Sequence, residues 1–180
     1  MLHDETLRLV TLVEDLLQLA RADALRGTLQ KQKVNLKNLA AQASDFFQPR
    51  FAEREIAVED NISEVDCQVM ADPQKLSQVL TNLFQNAWQY TPQGGHIRVF
   101  TERLPGKLKV VFANTGDGIA EKDLPFIFER FYRGEKSRSR DHGGAGIGLA
   151  IMKELIEAHG GEVGAENTPA ETQIWFTLPD

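Results

Sequence analysis

Cysteine is nearly absent from this sequence, with Cys67 the single one among 180 residues. One thiol excludes a disulfide framework and a cysteine-based metal site, and it is compatible with a reducing compartment. No apolar run reaches the roughly 18 residues that predict a membrane span, and the N-terminus lacks a signal-peptide pattern. We therefore expect no membrane contact by this chain.

Positive charge is also in short supply. The chain carries 20 Lys and Arg against 26 Asp and Glu, a net charge of -6. This balance argues against nucleic acid or an anionic membrane as a partner. The 42% of apolar and 26% of charged residues are ordinary for a globular protein. The length suffices for one well-cored domain plus an appendage.

The spacing of leucines predicts that residues 1–30 form a unit distinct from residues 31–180. Leucines recur every seven residues at positions 2, 9 and 16, with companions at 12 and 19, which predicts one helix over residues 1–26. A helix this apolar needs partners, either in a bundle or coiled coil or on its own domain. The segment "GTLQKQKVN" that follows favours a short connection.

From Asn35 onward, helical and strand patterns alternate. A helix begins at Asn35, with Pro49 as a late kink or stop, and a second begins at the Asp72 cap with Pro73 in its first turn and runs to about Tyr90. A short helical piece over 121–132 and a glycine-led helix closed by Gly160 follow. Strands are expected at 56–60, 67–72, 96–104, 107–114, 162–167 and 172–178. The whole predicts an α+β class, two-layer α/β sandwich with helices on one face of a mostly antiparallel sheet.

Two asparagines, Asn82 and Asn86, lie one turn apart on the helix "NLFQNAWQYTP". On a helical wheel they border the apolar sector, where the core meets something polar. Asparagine is a poor helix former, which weakens the view that they merely face water. An amide oxygen is a neutral ligand for Mg²⁺, so a metal–phosphate site and a solvated helix face remain equally good interpretations of the pair.

Two glycine-bearing segments follow along the chain. In "NTGDGI", Gly116 and Gly118 follow a strand that ends at Asn114, whose amide can bond a base amine; an ordinary turn is the competing interpretation. In "GGAGIGLAI", glycines lead into a helix whose free N–H groups and dipole suit a phosphate. Neither segment is specific alone, but a basic, polar stretch separates them, and their order after the asparagine helix is far more specific.

This order of motifs resembles the catalytic, ATP-binding domain of bacterial sensor histidine kinases, of the Bergerat nucleotide-binding fold. "LTNLFQNAWQYTPQGGHIRV" is similar to the asparagine box of that family, "NTGDGI" and "GGAGIGLAI" to its two glycine boxes, and "IFERFYR" to its phenylalanine box. "EAHGGEV" and "FTLP" match its usual ending. The first helix resembles the second helix of the dimerisation and phosphotransfer hairpin.

The resemblance implies a site for ATP and Mg²⁺. Asn86 is expected to bind the metal, Asn82 to support the phosphates as the second catalytic residue, and Asn114 to read the adenine. Phe128 and Phe131 are expected to anchor the lid, with plain core packing nearly as good an interpretation, and Arg130 and Arg133 to be solvated or to reach phosphate. The remaining cofactor-binding positions that it implies are Gln89, Tyr90, Gly116, Gly118, Ile119, Gly144, Gly146, Ile147, Gly148 and Leu149.

Three departures from the family pattern qualify these expectations. Asn114 stands where the adenine-reading residue is usually Asp, and Gln89 stands where a basic residue commonly lies. No His followed by an acidic residue lies on a first hairpin helix, because His3 and Asp4 fall at the start of what resembles the second helix. We therefore expect a truncated chain that binds nucleotide but does not phosphorylate itself.

As implied by the resemblance, the whole protein passes phosphate from ATP to a His and on to an Asp of a response regulator receiver domain. It is expected to be a homodimer through its phosphotransfer helices and membrane-anchored, with this chain in its cytoplasmic portion. The alternatives are a Bergerat-fold ATPase, an anti-sigma-type Ser kinase, or a nucleotide-binding docking module. The ATPases of this fold use a Glu one turn before the metal-binding Asn, a position that Asn82 occupies here, and an amide is no general base.

Overall fold

The computed structural model describes residues 29–65, 67–132 and 146–180. The helix expected over residues 1–26 lies outside the described residues. Within these ranges the helices are α1 (Leu36–Glu53), α2 (Pro73–Tyr90) and α3 (Gly148–Ala158), with a 3₁₀ turn at Leu124–Phe126. The strands are β1 (Gln32–Asn35), β2 (Ala57–Asn61), β3 (Gln68–Ala71), β4 (His96–Leu104), β5 (Lys107–Asn114), β6 (Val163–Asn167) and β7 (Thr172–Pro179).

The main sheet has five strands in the order β2-β4-β5-β7-β6. Strands β2 and β4 are parallel, and the other three neighbouring pairs are antiparallel. A separate antiparallel pair joins β1 to β3. The α+β sandwich with a mostly antiparallel sheet that the sequence predicts is therefore the observed architecture.

The core lies between this sheet and the three helices. Every second residue of a strand points to one face, and the inward positions of β4, β5 and β7 are apolar, among them Ile97, Phe112 and Phe176. Four buried aromatic rings connect the layers, with Phe84 of α2 packed edge-on to Phe112 at 5.0 Å between ring centroids. The apolar side of α2 therefore packs against the sheet, and the polar side chains of α2 lie at the border of this apolar side.

Side-chain caps begin the first two helices. The Asn35 side chain accepts a hydrogen bond from Asn38 N–H, and Asp72 accepts from Gln74 and Lys75. These contacts satisfy N–H groups that have no partner within a helix. The cap that the sequence predicts at Asp72 is therefore present, and it fixes where α2 starts.

Three local expectations differ from the structure. The segment 27–35 was expected to be a connection only, but its end forms β1, whose register pairs Val34 with Val69. Of the kink or stop expected at Pro49, the stop is wrong, because α1 continues to Glu53. The segment 121–132, which is expected to be helical, contains only the 3₁₀ turn. Pro125 lies within this turn, and the residues after it form further turns and not an α-helix.

Candidate functional site

The asparagine pair lies where the helical wheel places it. Leu76, Val79, Leu80, Leu83, Phe84 and Ala87 of α2 are buried, whereas Asn82 and Asn86 are both only partly buried. The two amides therefore border the core on one side of α2 without entering it.

Asn82 connects two segments that are far apart in the sequence. Its Nδ2 donates a hydrogen bond to the backbone carbonyl of Gly148, at 3.0 Å and a separation of 66 residues. Gly148 is the first residue of α3, so the middle of the asparagine helix lies against the start of the glycine-led helix. A Cβ at Gly148 would lie 3.8 Å from Asn82 Cγ, at ordinary van der Waals distance.

Asn86, one turn further along α2, makes no side-chain hydrogen bond with any residue that the structure describes. Its amide oxygen is therefore free to accept a ligand. Among the described residues no group of three or more His, Cys, Asp or Glu side chains is placed to hold a metal. A cation at this site would depend on amide oxygen and ligand oxygens, a set that suits Mg²⁺ because it is a hard ion that keeps several non-protein ligands.

The start of α3 differs from the starts of α1 and α2. Ile147 occupies its cap position and makes no side-chain cap hydrogen bond. The first N–H groups of α3 therefore have no side-chain acceptor of the kind that Asn35 and Asp72 provide for α1 and α2. Uncapped N–H groups with a helix dipole behind them favour an anion. The side chain of Ile147 is itself 1% exposed and belongs to the core, so any part it has in binding a ligand rests on its main chain.

Two other glycine-box residues, Gly146 and Leu149, frame this helix start. Gly146 has φ of +75°, a backbone conformation that favours glycine, and its carbonyl accepts the Phe131 N–H at 3.1 Å. Leu149 is partly buried against the core. Arg133 and Gly144 lie outside the described residues, so their predicted roles stay predictions.

Asn114 is the last residue of β5 and is 5% exposed. Its Nδ2 donates to the Thr115 carbonyl at 3.0 Å, while no described donor is bonded to its Oδ1. The oxygen is therefore the part of this side chain that remains available, which is the atom a base amine needs.

The two glycines after Asn114 each allow a close approach. A Cβ at Gly116 would lie 2.8 Å from the Tyr90 carbonyl oxygen, so no side chain fits there without a shift. Gly118 has φ of +75°. The loop thus passes close to the C-terminus of α2. Tyr90 and Gln89 are partly buried at that end.

Asn167, which the sequence reasoning did not single out, holds the far end of this loop. Its Oδ1 accepts the Ile119 N–H at 3.0 Å, and its Nδ2 donates to the Ile119 carbonyl at 2.6 Å. The only sequence signal is that an amide residue ends the strand β6, and nothing in the sequence links it to a position 48 residues earlier.

A charged cluster supports the same edge of the sheet. The guanidinium of Arg98 donates to Glu171 through Nε at 2.9 Å and through a second nitrogen at 2.5 Å, and His96 Nε2 lies 3.2 Å from the same carboxylate. The hydrogen bonds from Arg98 hold the pKa of Glu171 below its usual value, although burial opposes the shift. This cluster ties β4 to the start of β7 across β5.

The phenylalanine-box residues lie at the other side of the candidate site. Phe128 is partly buried against the core, whereas Phe131 is 50% exposed. Arg130 donates to Glu154 of α3 through Nε at 3.0 Å. Arg130 is therefore bound to a carboxylate of α3, and its contact with phosphate stays a prediction.

A buried polar junction lies at the opposite ends of α2 and α3. His159 is 1% exposed; its Nδ1 donates to Leu155 O at 2.7 Å, and its Nε2 accepts the Asp72 N–H at 3.0 Å. Burial lowers the pKa of His159, although the bond to Leu155 acts in the opposite direction. Burial raises the pKa of Asp72, but the N–H donors of Gln30, Lys75 and Gln74 outweigh it and hold that pKa below its usual value. The contacts of His159 are thus with the main chain at the ends of two helices, and its role is structural.

A cavity of about 160 Å³ among the described residues is not at this site. It lies beside the β1–β3 pair and the end of β7, and its lining includes Lys33, Met70, Arg103 and Pro179. The asparagine and glycine segments converge elsewhere, where Asn82 is bonded to the Gly148 carbonyl.

The sequence and fold match known proteins of one family. The family model for histidine kinase-, DNA gyrase B- and HSP90-like ATPases matches residues 71–180, and the chain belongs to this family. It is 36% identical to the sensor histidine kinase WalK of Bacillus subtilis strain 168, over 98% of this chain and 29% of that protein. The chain thus spans about a third of the length of this curated relative.

Two solved structures share the fold. Full-length ShkA in complex with AMPPNP has a TM-score of 0.81 and 30% identity, over 95% of this chain and 35% of that one. Histidine kinase ThkA in complex with the response regulator protein TrrA has a TM-score of 0.78 and 27% identity, over 98% and 48%. Within its family, the chain is the ATPase-domain part of a bacterial two-component sensor histidine kinase.

None of the described helices combines the length and apolar character needed to cross a bilayer.

Proposed function

We propose that this chain binds ATP with Mg²⁺ between α2, the loop after β5 and the start of α3. The observation that carries the proposal is the hydrogen bond from Asn82 to the Gly148 carbonyl, since it brings the asparagine helix against the uncapped start of α3. Beside it, the amide of Asn86 has no partner among the described residues. The complex of the related ShkA with AMPPNP supports the same ligand class.

In the proposed complex, different parts of the site contact the phosphates, the base, the ribose and the cation. The N–H groups at the start of α3 bind phosphate oxygens, Asn114 Oδ1 accepts from the adenine amine, and Gly116 and Gly118 let the loop approach the base. Tyr90 and Gln89 line the edge near the ribose. Asn86 holds the divalent cation. The chemistry that Mg²⁺ supplies when bound is neutralisation of charge on the phosphate oxygens.

The reaction served by this site is transfer of the terminal phosphoryl group of ATP to an imidazole nitrogen, leaving ADP. A neutral His is already a nucleophile near neutral pH, so the chain contributes positioning and electrostatics and needs no general base. Asn82 cannot take a proton, and its amide is bonded to Gly148. This argues against activation of water and hence against a steady ATPase.

The wider assignment follows from the same relatives. We propose that residues 1–30 are part of the phosphotransfer hairpin and residues 31–180 the catalytic domain. Lys31 Nζ donates to the His159 carbonyl at 3.1 Å, which supports including Lys31 in the catalytic domain. The acceptor His is supplied outside this chain, on phosphotransfer helices that pair two copies of the full-length, membrane-anchored protein. The onward partner is a response regulator receiver domain, as in the ThkA–TrrA complex.

Calorimetric titration of the chain with ATP in the presence of Mg²⁺ tests the site. We expect the wild-type chain to bind, and Asn86→Ala to bind at least about tenfold more weakly, a loss of about 1.4 kcal/mol. Asn38→Ala, at an exposed asparagine of α1, is the control and should bind as the wild type does. Equal affinity of the Asn86 variant would remove the metal role from that residue.

Incubation with γ-labelled ATP separates a kinase part from an ATPase. We expect no steady release of phosphate and no acid-labile label on the chain itself. Continuous turnover would favour the ATPase assignment. Label on His3 would show that this chain carries its own acceptor.

A further inference from the structure

The loop from Thr115 to Ile119 is held at its first residue by main-chain contacts with β4. Thr115 N–H donates to the His96 carbonyl at 3.1 Å, and Thr115 Oγ1 accepts the His96 N–H at 3.0 Å. From Gly116 to Gly118 the loop is exposed. A glycine-containing exposed loop anchored at one end only would sample many conformations.

At its other end, the loop is held by the side chain of Asn167. Asn167 bonds to both the N–H and the carbonyl of Ile119, pairing with that residue as one peptide group pairs with another in a ladder. A side-chain amide offers one donor and one acceptor side by side, as this arrangement needs. A Cβ at Gly118 would lie 3.3 Å from Asn167 Oδ1, so this clamp also leaves little room at the neighbouring glycine.

Asn167 is itself fixed by the turn between β6 and β7. Thr172 Oγ1 lies 3.4 Å from Asn167 Oδ1, and within the turn Thr168 N–H donates to the Glu171 carbonyl at 2.8 Å. In the sheet register, Thr172 is directly opposite Asn114. Through Thr172, the turn therefore links Asn114, which is proposed to contact the base, with Asn167, which holds the loop.

We propose that Asn167 is a positioning residue for recognition of the nucleotide base: it holds the loop from Gly116 to Ile119 in the conformation that fits adenine. This inference rests on the proposed function, since it presumes that the loop contacts the base. Asn167 does not touch the phosphates in this scheme. Asn167 is exposed, and its loss removes the two hydrogen bonds to Ile119 and the contact with Thr172 Oγ1.

The test compares ATP with GTP by titration, using the whole chain with Mg²⁺. The variants are Asn167→Ala, the nearly isosteric Asn167→Asp, which keeps the acceptor but sets a carboxylate against the Ile119 carbonyl, and the control Asn61→Ala at the exposed end of β2. We expect the preference of the wild type for ATP over GTP to fall about fivefold in both Asn167 variants, as the loss of two exposed hydrogen bonds implies. The Asn61 variant should keep the preference.

The ratio of the affinities for ATP and GTP separates positioning from a general loss of structure. A smaller folded fraction weakens the binding of both nucleotides alike and leaves this ratio unchanged. Wild-type binding with an unchanged ratio in both Asn167 variants would overturn this inference alone. Failure of the wild-type chain to bind ATP at all would overturn the proposed function, and this inference with it.

Discussion

At the scale of single residues, Asn82 and Asn86 have the same side chain one turn apart on α2 but different surroundings. Asn82 is bonded to the Gly148 carbonyl, and Asn86 has no partner among the described residues. An asparagine in a helix that bonds to nothing costs stability relative to alanine. We propose that this loss of stability is tolerated at position 86 because the amide binds a ligand.

This contrast predicts opposite effects on the stability of the nucleotide-free chain. Asn86→Ala should raise the free energy of unfolding by roughly 0.5 kcal/mol, the helix-propensity gain. Asn82→Ala should lower it, because loss of a hydrogen bond worth about 1 kcal/mol outweighs the same gain. Urea titrations of the two variants measure both effects. A destabilised Asn86 variant would mean that its amide has a structural partner after all.

At the scale of elements, most strand and helix positions followed from local pattern, whereas the features that were missed depend on contacts between distant parts of the chain. The hairpin β4–β5 was predicted correctly because alternation is strong and Pro105-Gly106 marks the turn, where Gly106 has φ of +72°. Strand β1 was missed because its alternation is short and weak and its pairing with β3 is a long-range contact. The order of the site segments was readable, but the Asn167 contact depends on tertiary geometry that no local pattern encodes.

The loop after β5 gives a prediction at this scale. Gly116→Ala should weaken ATP binding by at least about fivefold, because its Cβ would meet the Tyr90 carbonyl at 2.8 Å and displace the loop. Gly106→Ala, at the opposite end of the same hairpin, meets nothing within 4 Å. It should cost stability through its positive φ but leave nucleotide affinity intact. Equal binding by the two variants would contradict the placement of the base.

At the scale of the whole molecule, His159 joins the C-terminus of α3 to the start of α2, and through Asp72 to Gln30. The helices that carry the candidate site at their other ends are thus held together by a buried neutral imidazole. Its pKa lies below the ordinary value of 6.5.

The pH dependence of stability follows from this shift. As pH falls below about 6.5, the unfolded chain takes up the proton before the folded one, so the free energy of unfolding decreases until the pH reaches the folded-state pKa of His159. Above about 6.5 this contribution is fully present. The carboxylates Asp72 and Glu171, whose pKa values are also lowered, act only near and below their ordinary values of 3.8 and 4.5.

Urea titrations between pH 4.8 and 7.5, a range chosen on the ordinary pKa values of about 4 and about 6.5, isolate His159. The wild type should lose stability toward the acid end. His159→Gln, which keeps an acceptor for the Asp72 N–H, should be less stable at pH 7 but show a smaller pH slope. An unchanged slope would assign the effect to another group.

The central claim is that the amide of Asn86 holds a divalent cation against the phosphates of ATP at the start of α3. Its most direct test is a crystal structure of the chain with AMPPNP and Mn²⁺, in which anomalous scattering marks the cation. We predict an anomalous peak bonded to the side-chain oxygen of Asn86, with the adenine beside Asn114 and the phosphates at Gly148. A nucleotide bound elsewhere, or a cation held by other side chains, would contradict the account.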